Sequence, residues 1–311
     1  KLAPYYTRLR RVFFCGKFGE QIMIGEFAAL AAALCWAVSA RLFRVLGSAF
    51  SPLALNFWKG LLSAGLLLAV SVVLFPPIEA PGAVWGWLLL SGVIGIGLGD
   101  TFFFQALNKI GDAQSILIAE TLAPVLTALL AMAWIGEWLS WQQWLAVALV
   151  VISVDVIVKI HKRAALTLFS PTGYVYAALA ALCQAVGAVI SRDVLTSFEI
   201  GAFNASLIRL LGGLLITCLL MVLTRQRWLP TTTDKGKTWR LFTLAVFIGT
   251  FMALTLQMLA FSYTKAAVAQ TLLAASVLLS LGIGWWLGDR VSRNVSVWSA
   301  LAVAGIAMLV W

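Results

Sequence analysis

Charged residues and histidine are scarce in this sequence of 311 residues. Charged side chains make up 11% of the chain and hydrophobic ones 62%, and His161 is the only histidine. A water-soluble domain usually carries about 25% charged residues, so the composition excludes a soluble globular fold. The chain also lacks an HExxH motif, a nucleophile elbow and a P-loop, which hydrolysis, metal catalysis and ATP-driven transport need. The sequence therefore predicts no enzyme activity, no cofactor and no metal site.

Cysteine is also rare, and the four cysteines show no CxxC spacing: Cys15, Cys35, Cys183 and Cys218. Three of them fall inside apolar runs, where a thiol behaves as a small hydrophobe, so neither a disulfide framework nor a metal centre is indicated. Lys and Arg number 22 against 12 Asp and Glu, but the basic residues lie between apolar runs and build no stripe with interleaved aromatics. This pattern argues against a nucleic-acid partner and indicates membrane topology.

Apolar runs recur along the whole chain. Each run of about 20 residues can cross a hydrocarbon core about 30 Å thick, so the sequence predicts an all-α membrane protein with the lipid bilayer as its partner. Residues 1–22 form a basic tail, which we expect to be a fragment or an upstream extension and not native structure. The ten predicted spans are 24–45, 52–75, 83–107, 112–134, 140–159, 170–191, 202–223, 239–262, 265–287 and 294–311.

The chain repeats itself at an offset of about 150 residues. Residues 34–38 match 182–186, and residues 105–107 match 257–259. A repeat of five spans is odd in number, so its two copies must enter the membrane in opposite orientations. Many secondary transporters have this inverted repeat, with a solute site between the halves. Gene duplication in a purely structural bundle is the alternative. The predicted repeats are 23–160 and 161–311.

Four short segments carry a resemblance to a known family: 25–30, 99–107, 122–124 and 135–140. In this order they are similar to the drug/metabolite transporter superfamily, and specifically to its EamA-type ten-helix members. The resemblance spans both halves of the chain. It implies a multi-pass protein of the cell inner (plasma) membrane, with a central cavity lined mainly by helices 1, 3, 4, 6, 8 and 9.

Pro124 is a departure between the two halves. It is expected to break helix 4, whereas the aligned residue in helix 9 is Ser276. A proline inside a helix removes a backbone donor and allows the helix to bend. If Pro124 shapes a gate in the first half, the two halves need not open and close in the same way.

The orientation of the chain in the membrane is open. Of the 22 lysines and arginines, five lie in the basic tail, and 13 of the remaining 17 lie in the loops after the odd-numbered helices. The positive-inside rule places those loops in the cytoplasm and both termini outside. Ten-helix members of the resembled family are expected to have both termini inside, so the two arguments disagree.

Ionisable residues inside the spans are the first candidates for a functional site, because they are costly in lipid. Lys59 lies about 10 Å into helix 2 and Glu120 about 12 Å into helix 4, counted from the same membrane face. Asp100 returns to that depth near the end of helix 3. We predict that the three form one polar cluster and that Glu120, one turn before Pro124, is a proton-coupling group. Alternatively, Glu120 is a permanent partner of Lys59, Asp100 is a structural hydrogen-bonder, and Lys59 extends to its interface.

Arg209 is the repeat mate of Lys59, and the inverted symmetry is expected to carry it toward the other membrane face. Glu26, Asp193 or Glu199 could reach it there. If none does, Arg209 could bind a carboxylate or phosphate of the solute, because a guanidinium fork suits such groups.

Neutral polar residues inside the spans suit a solute path. Gln105 and Gln257 are aligned across the repeat, Gln184 replaces Trp36, and Gln270 lies in helix 9. Each glutamine could instead join two helices by a hydrogen bond.

The sequence thus predicts a secondary transporter that exports small metabolites, amino acids or drugs by alternating access, with protons as a coupling partner. Buried charges of both signs would suit a zwitterionic solute. The alternatives are a flippase of a lipid-linked molecule and a structural or sensory membrane protein. The oligomeric state stays open between a monomer and a homodimer.

Overall fold

The computed structural model of the protein describes residues 17–46, 49–74, 80–161, 170–232, 234–288 and 292–310, and the regular secondary structure in these ranges is helical. Ten helices in these ranges are long and apolar enough to cross a membrane. They are α1 (Lys17–Leu46), α2 (Pro52–Leu74), α3 (Gly82–Gly111), α4 (Gln114–Trp134), α5 (Trp141–His161), α6 (Pro171–Ser197), α7 (Ala202–Thr224), α8 (Lys235–Tyr263), α9 (Ala266–Trp286) and α10 (Arg293–Val310).

The helix ends follow from local sequence signals. Gly111 has φ 79°, a conformation that glycine adopts without strain, and it turns the chain sharply between α3 and α4. Asp234 caps α8 by accepting a hydrogen bond of 3.0 Å from the backbone N–H of Lys237, so α8 begins before the predicted residue 239. The expectation for the basic tail lies mostly outside the described residues, although α1 begins at Lys17.

The two halves pack as an inverted repeat, which confirms the predicted fold class. Helix α1 packs against α8, and its repeat mate α6 packs against α3. The pairs α2 with α7 and α5 with α10 join equivalent helices of the two halves. Consecutive helices cross in opposite senses. The loops after odd-numbered helices therefore share one face, the odd-loop face, and the loops after α2, α4, α6 and α8 share the other, the even-loop face.

Two π-helical segments occupy equivalent places in α3 and α8. They are Val93–Leu98 and Phe247–Met252, and each has Ile-Gly at its second and third positions. A short π-helical segment adds an extra residue to an α-helix, and such segments are frequent at functional sites. The segments align at an offset of 154, not the 152 that pairs Gln105 with Gln257. A shift of two residues turns a side chain by about 200° around a helix, so these two glutamines are not equivalent.

Pro124 does not break its helix, so this prediction is wrong. The backbone of α4 stays helical through Pro124, and the missing N–H only leaves the carbonyl of Glu120 without its helical donor. The break lies instead in α9, where Ala275 divides the helix into Ala266–Ala274 and Ser276–Trp286. The two halves do differ here, but it is the half without proline that is interrupted.

Candidate functional site

A cavity of about 180 Å³ lies where six helices meet between the two repeats. Helices α1, α2 and α3 line it from the first half, and α6, α7 and α8 from the second. The resemblance implied α4 and α9 in place of α2 and α7, and the structure corrects that expectation for this cavity. Its walls are formed by Trp36, Lys59, Gly95, Ile96, Asp100, Gln184, Arg209, Leu210, Gly249, Thr250, Leu254 and Gln257.

The cavity brings together most of the residues predicted from the sequence. Six of them line it: Trp36, Lys59, Asp100, Gln184, Arg209 and Gln257. They come from six different helices, so only the folded chain can collect them. The π-helical segments contribute too, because Gly95 and Ile96 lie in one and Gly249 and Thr250 in the other.

Lys59 and Asp100 form an ion pair in the cavity wall. The Lys59 Nζ donates to Asp100 Oδ2 over 3.4 Å, and the two side chains are 23% and 22% exposed. This joins two of the three members of the predicted cluster. Each charge is thus partly neutralised by the other, while both side chains still face the cavity.

Arg209 lines the same cavity as Lys59 and Asp100, although the inverted symmetry starts its helix from the opposite face. Arg209 and Lys59 each lie about 10 Å along α7 and α2, and these helices run in opposite senses and pack together. The long side chains of Arg209 and Lys59 both reach the cavity between the two repeats. As a result, the charge of Asp100 acts on the Arg209 guanidinium.

The Arg209 guanidinium is buried with few acceptors. The residue is 1% exposed, its Nη1 donates only to the Met258 Sδ at 3.9 Å, and its Nε has no hydrogen-bond partner within the described part of the chain. The Thr250 Oγ1, in the same cavity wall, is buried and also has no hydrogen-bond partner among the residues that the structure describes. A buried donor or acceptor without a partner is expensive, so both groups are ready to meet a polar ligand.

Two glycines make room for this guanidinium. A Cβ atom at Gly95 would lie 2.9 Å from the Arg209 Nη2, and one at Gly187 would lie 3.3 Å from it. The backbones of α3 and α6 also cross here, because the same Gly187 Cβ would be 3.0 Å from the Gly95 Cα. These glycines therefore allow α3 and α6 to pack closely and also leave room for the Arg209 side chain.

Four predicted residues do not line the cavity. Gln105 is exposed on α3, as its two-residue offset from Gln257 explains. Gln270 is buried in α9, and its Oε1 has no hydrogen-bond partner in the described part of the chain. Glu120 is half-buried in α4 and, within the described ranges, has neither an ion pair nor a hydrogen bond. The predicted cluster therefore lacks Glu120, because α4 is not among the helices around Lys59. The fourth is Pro124.

A second polar network lies at the even-loop face, and the sequence interpretation missed it. Glu137, in the loop between α4 and α5, accepts from Arg192 Nε over 2.7 Å and from the Ala266 N–H over 2.9 Å. Arg192 also donates to the Phe261 carbonyl over 2.6 Å. We call Glu137, Arg192 and the Ala266 N–H the loop clamp. It ties the first repeat to α6 and to the start of α9.

Only one signal in the sequence pointed to the loop clamp. The pair Gly136-Glu137 is matched by Gly288-Asp289 in the second repeat. The sequence alone favours a short connection there, because nothing in it brings Arg192 close. Asp289 lies outside the described residues. Within those residues no group of three or more His, Cys, Asp or Glu comes together as a metal site requires.

Comparison with known proteins gives the family. The model of the EamA-like transporter family matches residues 23–159 and 171–311, one match for each repeat. The chain belongs to the EamA-like transporter family. This EamA-like protein is therefore a multi-pass membrane protein, and its described residues contain ten helices that are long and apolar enough to span a membrane.

Two matches to individual proteins give less information than the family model does. The EamA-like chain is 36% identical over 74 residues to a protein of Sinorhizobium sp described as "Uncharacterized transporter in cobO 3'region". That match covers 24% of this chain and spans about half, 51%, of the curated relative. A crystal structure superposes with a TM-score of 0.76 at 21% identity, over 91% of this chain and 95% of that one. This structural similarity supports the ten-helix fold alone.

Proposed function

We propose that this EamA-like protein is a secondary transporter that exports small metabolites, amino acids or drugs across the inner membrane by alternating access. The observation that carries the proposal is the cavity between inverted repeats, in which Lys59, Asp100 and Arg209 lie together at membrane depth. Charged residues at such depth are costly in a structural bundle and typical of solute pathways.

The loop clamp supplies one of the two closed states that alternating access requires. Its charge-assisted hydrogen bonds join the first repeat to α6 and α9 at the even-loop face. We propose that it breaks when the cavity opens to that face. Hydrogen bonds to charged groups contribute about 1.5–3 kcal/mol each, which suits a contact that holds one state and still releases.

Proton coupling through Glu120 is the second part of the proposal. Its carboxylate has no described cation beside it, and a charged carboxylate without one is costly at this depth. The residue lies one turn before Pro124, in a helix that has lost one backbone hydrogen bond. Helix α4 can therefore flex where Glu120 gains or loses a proton.

The test is solute flux in proteoliposomes that contain the purified protein. We expect a pH gradient to drive flux of at least one member of a panel of metabolites, amino acids and drugs. Glu120→Gln should abolish the response to the gradient and keep exchange of solute. Asp155→Asn is the matched control, because Asp155 pairs with Lys159 over 2.7 Å near the interface. Absence of flux for the whole panel, or movement of a lipid-linked molecule only, would contradict the proposal.

A further inference from the structure

The charges that line the cavity do not balance. Lys59 and Arg209 carry two positive charges, and Asp100 carries one negative charge. The remaining lining residues are neutral, so the formal charge of the described cavity wall is +1. An uncompensated charge inside the membrane is expensive unless a ligand or water neutralises or solvates it.

We infer that the cavity binds a compact organic monoanion, whose carboxylate is held by Arg209. This inference rests on the proposed transport function and narrows its solute. A monoanion would bring the charge of the occupied cavity to zero. A cation would raise it to +2, and a zwitterion would leave it at +1.

Arg209, not Lys59, is positioned to take the carboxylate. The Lys59 Nζ already donates to Asp100 Oδ2. Among the described residues, the Arg209 Nε has no partner and its Nη1 has only a thioether sulfur, which is a weak acceptor. A guanidinium can donate two parallel hydrogen bonds to one carboxylate. Asp100 is engaged with Lys59, so it is poorly placed to receive the ammonium group of a zwitterion.

The size and walls of the cavity favour a small aliphatic acid. A volume of 180 Å³ corresponds to about six water molecules of liquid. Drug-sized ligands usually occupy about 300–1,000 Å³. Trp36, Ile96, Leu210 and Leu254 supply apolar surface for a short carbon chain beside the polar end.

A matched set of four-carbon probes tests the inference. Butyrate, butyramide, butylamine and 2-aminobutyrate share a skeleton and differ in charge at pH 7. Isothermal titration of the full-length protein in nanodiscs should show butyrate binding at least tenfold more tightly than each of the others. Equal or tighter binding of butyramide or butylamine would overturn the inference. Tighter binding of 2-aminobutyrate would overturn it in favour of a zwitterion site.

Variants test the role of each charge. Arg209→Gln should weaken butyrate binding by about tenfold to a hundredfold, the range expected for charge-assisted hydrogen bonds. Asp100→Asn should act in the opposite direction and strengthen butyrate binding, which a merely unfolded variant cannot do. Arg227→Gln, at an exposed loop residue, is the matched control and should leave binding unchanged.

The two proposals fail in different ways. Flux of a neutral or cationic solute, with no preference for butyrate, would contradict the monoanion inference and still support the transport function. Butyrate binding that depends on Arg209, without flux of any carboxylate, would contradict the transport function and still support the anion-binding site.

Discussion

Arg209 has an unusual environment for a guanidinium in a membrane. It is 1% exposed, yet its nearest described compensation is the charge of Asp100, which Lys59 shares. Removing one member of such a group leaves another charge unpaired, so each member depends on the others. An arrangement of this kind is stable when a ligand completes it, which is why the residue is interpreted as a binding group.

Gln105 and Gln257 offer a sharp comparison at the residue scale, because the sequence aligns them and the structure separates them. Gln257 lines the cavity, and Gln105 is exposed. We predict that Gln257→Leu lowers solute flux in proteoliposomes at least tenfold, since it removes a polar group from the solute path. Gln105→Leu is the control and should stay within twofold of the unmodified protein. A larger loss from Gln105→Leu would contradict the assigned cavity wall.

The types of residue at the site were predictable from the sequence. The directions in which their side chains point were only partly predictable. Burial cost alone singles out Lys59, Asp100 and Arg209 as charges inside spans. Whether they meet depends on helix rotation, which the extra residue of a π-helical segment changes by about 100°. Hydropathy does not show that change. For this reason the sequence did not show that Gln105 faces away from the cavity. Glu120 lies outside the cavity because α4 is not among the helices around Lys59, and the pairing of Glu137 with Arg192 joins a loop to a distant helix, which no sequence pattern shows.

At the scale of helices, the approach of α3 to α7 shapes the cavity. A Cβ atom at Gly92 would collide with the backbone carbonyl of Arg209, and one at Gly212 would collide with that of Leu89. Backbone atoms in a packed crossing cannot move aside cheaply. The crossing therefore fixes the place at which the Arg209 side chain leaves its helix.

Gly92 and Gly86 provide a matched test within one helix. Gly92→Ala should lower the free energy of unfolding by about 1–3 kcal/mol, because it overpacks the crossing with α7. Gly86→Ala meets no described atom within 4 Å and should instead raise that free energy by roughly 0.5–1 kcal/mol through helix propensity. Equilibrium unfolding in detergent measures both values. Equal effects of the two changes would contradict the close crossing.

At the scale of the whole molecule, hydropathy and repetition were sufficient for the architecture. Lipid leaves no partner for an exposed backbone, so runs of about 20 apolar residues must become helices. Each predicted span overlaps one observed helix, and the offset of about 150 residues predicts the inverted halves. The orientation of the odd-loop face relative to the cytoplasm stays a prediction, because the charge count and the family expectation still oppose each other.

The central claim is that one cavity between the repeats opens alternately to the two faces. Labelling of Trp36→Cys by a membrane-impermeant thiol reagent, from each side of the membrane and in a background without native cysteines, tests it most directly. The account predicts labelling from both sides. It further predicts that Arg192→Gln, which breaks the loop clamp, raises labelling from the even-loop face by about tenfold, since a loss of 1.4 kcal/mol changes a population tenfold. Labelling from one side only, unchanged by Arg192→Gln, would contradict the account.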